Sequence, residues 1–477
     1  MTDRASENAR RWAELVKAML PFADVATKEL PLGRLLRLSL FQVSVGMAAV
    51  LLTGTLNRVM IAELGVPAWL VALMVGLPLV FAPLRALIGF KSDYHASALG
   101  WRRVPYIWFG SLMQFGGLAI MPFALLLMGG NTDAPAWLGP AASALAFLLV
   151  GAGLHTTQTA GLALATDLAD EADRPRVVAL LYVMLLVGML LSAIVISLLL
   201  ADFSEMRLVQ VIQGAAALTI ALNIVALWRQ EARAPALTAA DRDRPAFADA
   251  WKAFAAGGRP ARLLIAVGLG AAAFSMQDVL LEPYGGEVLG LSVAGTTLLT
   301  ALWALGALAG FGLAARGLGA GQDPHRLAAY GMVIGVFAFA AVILSDPLGS
   351  PLFFRVGAVL IGLGGGLFSV GTLTAAMELG EANGSGLALG AWGAVQATAA
   401  GIAVIAGGSI RDLVHALAEA GTLGPAWQGP AVGYSVVYHI EIGLLFAALA
   451  AIGPLARHAG GGGQRRSGKF GLAEFPG

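Results

Sequence analysis

Not one of the 477 residues is a cysteine, which excludes disulfides, thiolate catalysis and cysteine-ligated metal. Charge is also scarce: Asp, Glu, Lys and Arg make up 12% of the chain, against about a quarter in globular proteins. Neither sign is in excess. A net charge of +1 leaves no basic surplus to neutralise phosphates, so nucleic acid is excluded as a partner. No phosphate-binding loop, nucleophile triad or zinc-ligand spacing occurs. The sequence is therefore read as having no catalytic residues and no metal site, and the protein as not an enzyme. The first 30 residues lack a short apolar core ending in a small-residue cleavage site, so no cleaved signal peptide is expected.

What the chain has in quantity is apolar length: 58% of it is hydrophobic. A helix crosses a bilayer with about 20 apolar residues. Runs of that order without charge fall at 38–56, 64–84, 104–132, 134–166, 177–201, 208–228, 288–315, 327–345, 356–377 and 382–410. Two further spans, 263–285 and 434–456, carry acids. In hydrocarbon each backbone amide must be bonded within its own segment, so an all-α integral membrane protein of twelve spans is predicted.

Lys and Arg set the orientation. With the N-terminus in the cytoplasm, 24 of the 30 basic residues fall in cytoplasmic segments, and only Arg58, Arg207 and Arg411 on the other side. Both termini are thus expected inside. Residues 229–262, rich in Arg, Asp, Ala and Pro, separate six spans (34–228) from six more (263–456). Residues 1–33 and 457–477 flank them as a cytoplasmic segment and a tail. The halves echo each other: Glu63-Leu64-Gly65-Val66 resembles Val288-Leu289-Gly290-Leu291, and Asp167-Leu168-Ala169-Asp170 resembles Glu378-Leu379-Gly380-Glu381. Two six-helix halves with a long linker and internal similarity form the major-facilitator pattern.

Two segments read as interfacial. Trp12, Leu15, Val16, Met19 and Leu20 share a helical face opposite Arg10, Arg11, Glu14 and Lys17, suited to lying on a membrane or docking on a partner. Phe247, Trp251 and Phe254 make a shorter version in the linker.

Between the second and third spans the chain reads Gly89-Phe90-Lys91-Ser92-Asp93, then six residues, then Gly100-Trp101-Arg102-Arg103-Val104-Pro105. Major-facilitator loops usually separate the Asp and the second Gly by two residues. The longer form, together with Leu56-Asn57-Arg58-Val59-Met60, Pro83-Leu84-Arg85 and Thr166-Asp167-Leu168-Ala169, resembles the PucC/LhaA family of purple phototrophic bacteria, the bacteriochlorophyll-delivery branch of the superfamily. Length and the amphipathic N-terminus resemble its LhaA type most, which serves light-harvesting complex 1, while the PucC type serves the peripheral antenna. The resemblance implies an antenna-assembly factor of the inner or intracytoplasmic membrane. It would bind or hand over bacteriochlorophyll beside new light-harvesting 1 polypeptides, with the reaction centre and pigment-synthesis enzymes as further partners. It transfers no ligand residues.

Ionisable groups inside spans are candidates by default. His155, followed by Thr156, Thr157, Gln158 and Thr159, lies mid-span; its imidazole suits pigment magnesium, and the alternative is a helix-bridging role. Arg58, Gln277, Asp278, Glu282 and Arg355 are expected to form a charge network sealing a central cavity, for structural pairing or for proton coupling. His439 and Glu441, on a peripheral span, are expected to face a partner, as are Trp12 and Leu15. Gly362-Leu363-Gly364-Gly365-Gly366 permits close helix packing or, alternatively, a flat tetrapyrrole surface. An ordinary secondary transporter and a subunit accessory to bacteriochlorophyll synthesis stay open as other readings.

Overall fold

The computed structural model describes residues 31–80, 88, 92, 100–129, 133–169, 174–232, 258–383, 385–425 and 427–456. The segment around Trp12 and Leu15, the loop residues Gly89 and Asp93, Pro83 to Arg85, the aromatic trio Phe247, Trp251 and Phe254, and the tail lie outside them. All regular elements among the described residues are helical. In chain order they are α1 (Leu32–Glu63), α2 (Ala68–Val80), α3 (Val104–Met128), α4 (Leu138–Leu168), α5 (Arg174–Leu199) and α6 (Glu205–Leu227). The second half has α7a (Gly258–Ser275), α7b (Leu281–Glu287), α8 (Val293–Gly319), α9 (Pro324–Ser345), α10 (Pro351–Asn383), α11 (Ser385–Glu419) and α12 (Ala431–Ile452). Ten of these are long and apolar enough to cross a membrane. The shorter apolar helices, α2 (described as far as Val80) and α7a, stand where the other two spans are expected.

Side chains close several helix starts, where the first N–H groups have no partner in their own helix. Ser204 accepts from Arg207 N (3.2 Å), Ser292 from Gly295 N (3.1 Å) and Asp323 from His325 N (2.9 Å). Several helices run past the expected boundaries, among them α1 (to Glu63) and α10 (Pro351–Asn383). α11 continues past residue 410 to Glu419, so Arg411 is a buried helix residue and not a loop cation.

Glycine brings backbones together. On α4, a methyl added at Gly153 would sit 2.6 Å from the Gly110 carbonyl of α3. On α10, Gly362 faces Trp303 and Gly366 faces Ala307 of α8, while Gly364 faces Gly331 of α9. The Gly362–Gly366 string is thus consumed by helix contacts on two sides, which removes the tetrapyrrole surface as a reading.

The first echo between the halves is also a structural one. Gly65 and Gly290, 225 residues apart, both adopt left-handed backbone (φ +63° and +64°), which glycine takes without steric cost. Val66 N donates to Met60 O (2.8 Å) and Leu291 N to Gly285 O (2.9 Å), so the same closing bond ends both α1 and α7b. The next helices begin at Ala68 and Val293, at the same offset.

Candidate functional site

Span seven does not continue through the bilayer as one helix. Between α7a and α7b the backbone of 276–280 runs through tight turns: Asp278 N reaches Ser275 O (3.0 Å) and Leu280 N reaches Gln277 O (2.8 Å). Gln277 N leaves the ladder altogether and donates to Glu441 Oε1 of α12 at 2.7 Å. The Gln277 side-chain amide donates to Asp278 Oδ1 (2.8 Å). Four residues on, Glu282 accepts the Thr300 hydroxyl of α8 in a short hydrogen bond. Gln277, Glu282 and Glu441 are 2%, 3% and 0% exposed.

α1 crosses the molecule beside this break. It too is distorted, with π-helical turns at Leu51–Thr55 and Val59–Glu63, but it stays continuous. Asn57 donates to the Asp278 carbonyl (3.4 Å), and Thr55 and Thr297 share a hydrogen bond (3.2 Å). The Arg58 guanidinium pairs with Glu63 (2.7 Å) and reaches the Leu291 carbonyl (3.3 Å). A methyl on Gly54 would sit 2.7 Å from Glu282 Oε1, and one on Gly286 would sit 2.7 Å from the Arg58 guanidinium carbon. These contacts join the two halves through α1 and α7.

The expected network therefore forms in part. Arg58, Gln277, Asp278 and Glu282 come together. Arg355 does not: it is exposed and shares in none of these bonds, because its neighbour Phe354 takes the buried face of α10. Glu441 was expected at a partner-facing position and is instead turned inward as the capping group of the break. His439, two residues earlier, is exposed, and its ring bonds to the Ser435 carbonyl (2.7 Å).

His155 is half-buried on α4, with Gln158 and Thr159 on its side of the helix. Thr156 is turned by about 100° around the axis, and its hydroxyl is spent on the Ala152 carbonyl (2.8 Å). The Thr159 hydroxyl bonds the His155 carbonyl (2.8 Å), and Thr157 faces α3 at Ile107 O (3.5 Å). For a chlorophyll-type macrocycle the imidazole fits as a magnesium ligand by donor type; Thr156 does not share its face.

The loop motif is built as a clamp. Glu231, just past α6, accepts Arg102 N (2.7 Å), Arg103 N (3.0 Å) and Val104 N (2.8 Å), so one carboxylate closes the start of α3. The side chains of Arg102 (2.6 Å) and Arg103 (2.9 Å) both bind Asp167 at the end of α4, and Arg103 also reaches Ser92 (2.5 Å). Gly100 precedes this with φ +75°. Trp101 is half-buried beside it.

A second ion cluster was not anticipated. Arg411 pairs with Glu287 and with Asp412 (2.8 Å), and the Tyr434 hydroxyl donates to Glu287 (2.7 Å). Asp412 accepts Trp69 N at the start of α2 (2.8 Å), a bond between the halves. The signal was the Arg411-Asp412 pair directly after an apolar run. An open cleft of about 560 Å³ lies here, bordered by Ile61, Pro67, Trp69, Asp412 and His415.

Comparison with known proteins adds the following. The family described as PUCC protein matches residues 55–460. Three relatives come from Rhodobacter capsulatus. The chain is 56% identical to an uncharacterized protein of the puhA-bchM intergenic region, over 98% of this chain and 99% of that one. It is 54% identical to Protein PucC, over 92% and 96%. It is 28% identical to the bacteriochlorophyll synthase 44.5 kDa chain, over 88% and 96%. Among solved structures, a bacterial homologue of the lysosomal transporter Spinster, inward-facing and unoccupied, superposes with a TM-score of 0.64 at 15% identity, over 89% of this chain and 98% of that one. The nucleoside transporter NupG gives 0.62 at 17%, over 88% and 98%. At such identities the likeness shows the fold alone, which is that of the major-facilitator transporters.

Proposed function

The chain belongs to the PucC family, and on that premise we propose that it is an assembly factor for light-harvesting complex 1. It is a multi-span protein of the bacterial inner or photosynthetic membrane. In the proposed reading it spans twelve times with both ends cytoplasmic, and it binds or delivers bacteriochlorophyll to new antenna polypeptides without catalysis.

Resemblance in length and in the N-terminal segment supports the core antenna over the peripheral one. A single organism holds a PucC and a second, differently encoded relative, and this chain matches the second over 98% of its length but PucC over 92%. The 2% left uncovered by the second is too short to omit residues 1–33, so most of the N-terminal amphipathic segment is shared with that relative. In strains lacking the gene, core-antenna content should fall while free bacteriochlorophyll is still made; loss of pigment synthesis would favour the accessory-subunit reading that the 28% relative keeps open. Trp12→Glu with Leu15→Glu should weaken co-purification of antenna polypeptides.

For the pigment, His155 would supply the magnesium ligand, with Gln158 and Thr159 beside it. His155→Phe keeps an aromatic body but removes the nitrogen. The expected result is unchanged protein level with less bacteriochlorophyll per folded molecule. A constant pigment ratio with lower stability would make His155 a helix bridge. A transporter reading, which the fold permits, requires substrate uptake by proteoliposomes.

A further inference from the structure

We infer that the break in α7 is a site for one added positive charge, a proton or a monovalent metal ion. Glu441 Oε1 holds the Gln277 N–H at 2.7 Å, but Glu441 Oε2 has no hydrogen-bond partner although the residue is 0% exposed. Gln277 Oε1 and Glu282 Oε2 are likewise buried without partners. Three buried oxygens, one on α12, one in the break and one at the start of α7b, are thus left without donors. A buried carboxylate that keeps its charge with no cation beside it is far costlier than one neutralised by a proton or an ion. Unwound helix segments inside transporter folds are where backbone and side-chain oxygens coordinate cations.

The groups facing the break do not supply that charge. From α1, Arg58 approaches Glu282, but its two terminal nitrogens go to Glu63 (2.7 Å) and the Leu291 carbonyl (3.3 Å), and its Nε is buried without a partner. On α11, Arg411 is committed to Glu287 and Asp412. α8 offers only the Thr300 hydroxyl. On α12, Tyr438 is fully buried, its hydroxyl also without a partner. α9 contributes apolar Phe339 and Val342, and its one acid nearby, Asp346, is exposed at its end. On α10, Arg355 is exposed. Within the break, Asp278 adds a further carboxyl. Among the described residues the break gathers three carboxyls, Asp278, Glu282 and Glu441, while the two guanidiniums facing it, Arg58 and Arg411, each pair with other acids.

The acid on α12 has no counterpart in the first half. The 225-residue offset that aligns Gly65 with Gly290 sets Ala216 of α6 against Glu441, and Ala215 and Ala217 flank it. α1, whose distortion keeps its own backbone bonds, needs no such group.

The test uses the full-length protein in lipid nanodiscs. Its melting midpoint is measured against NaCl, with choline chloride holding ionic strength constant, and infrared spectra are recorded for the protonated-carboxyl carbonyl band. A midpoint that rises with each tenfold step in sodium, and no longer does so in Glu441→Gln, identifies a metal ion. A protonated-carboxyl band in the native protein that is lost in Glu441→Gln, with no sodium dependence, identifies a proton. Glu441→Gln keeps an acceptor for the Gln277 N–H; should it fail to fold, Glu282→Gln is read in the same two assays. No sodium dependence together with no protonated-carboxyl band in the native protein overturns the inference.

Discussion

α1 and α7 occupy equivalent places in the two halves and are distorted at the same point, yet they resolve the distortion differently. The π turn at Leu51–Thr55 and the break at 276–280 are related by the offset that relates Gly65 to Gly290. In α1 the backbone widens and keeps its bonds to itself. In α7 the ladder opens, and a side chain from another helix, Glu441, takes up the released Gln277 N–H. The lesson is that a shared bend need not share a cause of stability. One half is self-contained at this point, while the other depends on a residue 164 positions away.

The comparison can be tested where the two helices touch. Gly54→Leu should have the largest effect, because any side chain there meets Glu282 Oε1 (2.7 Å) and Thr300 Oγ1 (2.8 Å). Overpacking of about 1–3 kcal/mol or more is expected, read as a lower melting midpoint; an unchanged midpoint would mean that α1 and α7 do not need their close approach. Glu441→Leu comes next. It strands the Gln277 N–H, at about 1–3 kcal/mol, and Glu441→Gln should recover most of that loss. Equal destabilisation by both would show that the capping bond is not what Glu441 provides. Glu63→Gln should cost less than about 1 kcal/mol, since its carboxylate is 42% exposed and the pair is partly in solvent. Arg355→Gln should leave the midpoint unchanged; a clear drop would return Arg355 to the network.

The spans were legible in the sequence because a long charge-free run has one stable solution in hydrocarbon. So was the first echo of the halves, since a glycine closing each of two helices leaves a local mark. The site was legible as a set of suspicious residues but not as an arrangement. Nothing near Glu441 in sequence distinguishes an inward acid from a partner-facing one; its role is fixed by a helix break on another span. Arg355 failed for the complementary reason: position along a span says which depth a residue reaches, and only packing says which way it turns. Glu231 carried no motif at all, because its partners are backbone N–H groups, which every residue offers.

Glu231 also has a consequence for how the chain is made. It closes the start of α3 from a position beyond α6, so during synthesis α3 must wait, uncapped, while three more spans are translated. A nascent chain stopped before residue 231 lacks this cap; one stopped in the linker carries it. The carboxylate acts as a completion mark, and the first six spans are expected to become protease-resistant only once it has left the ribosome.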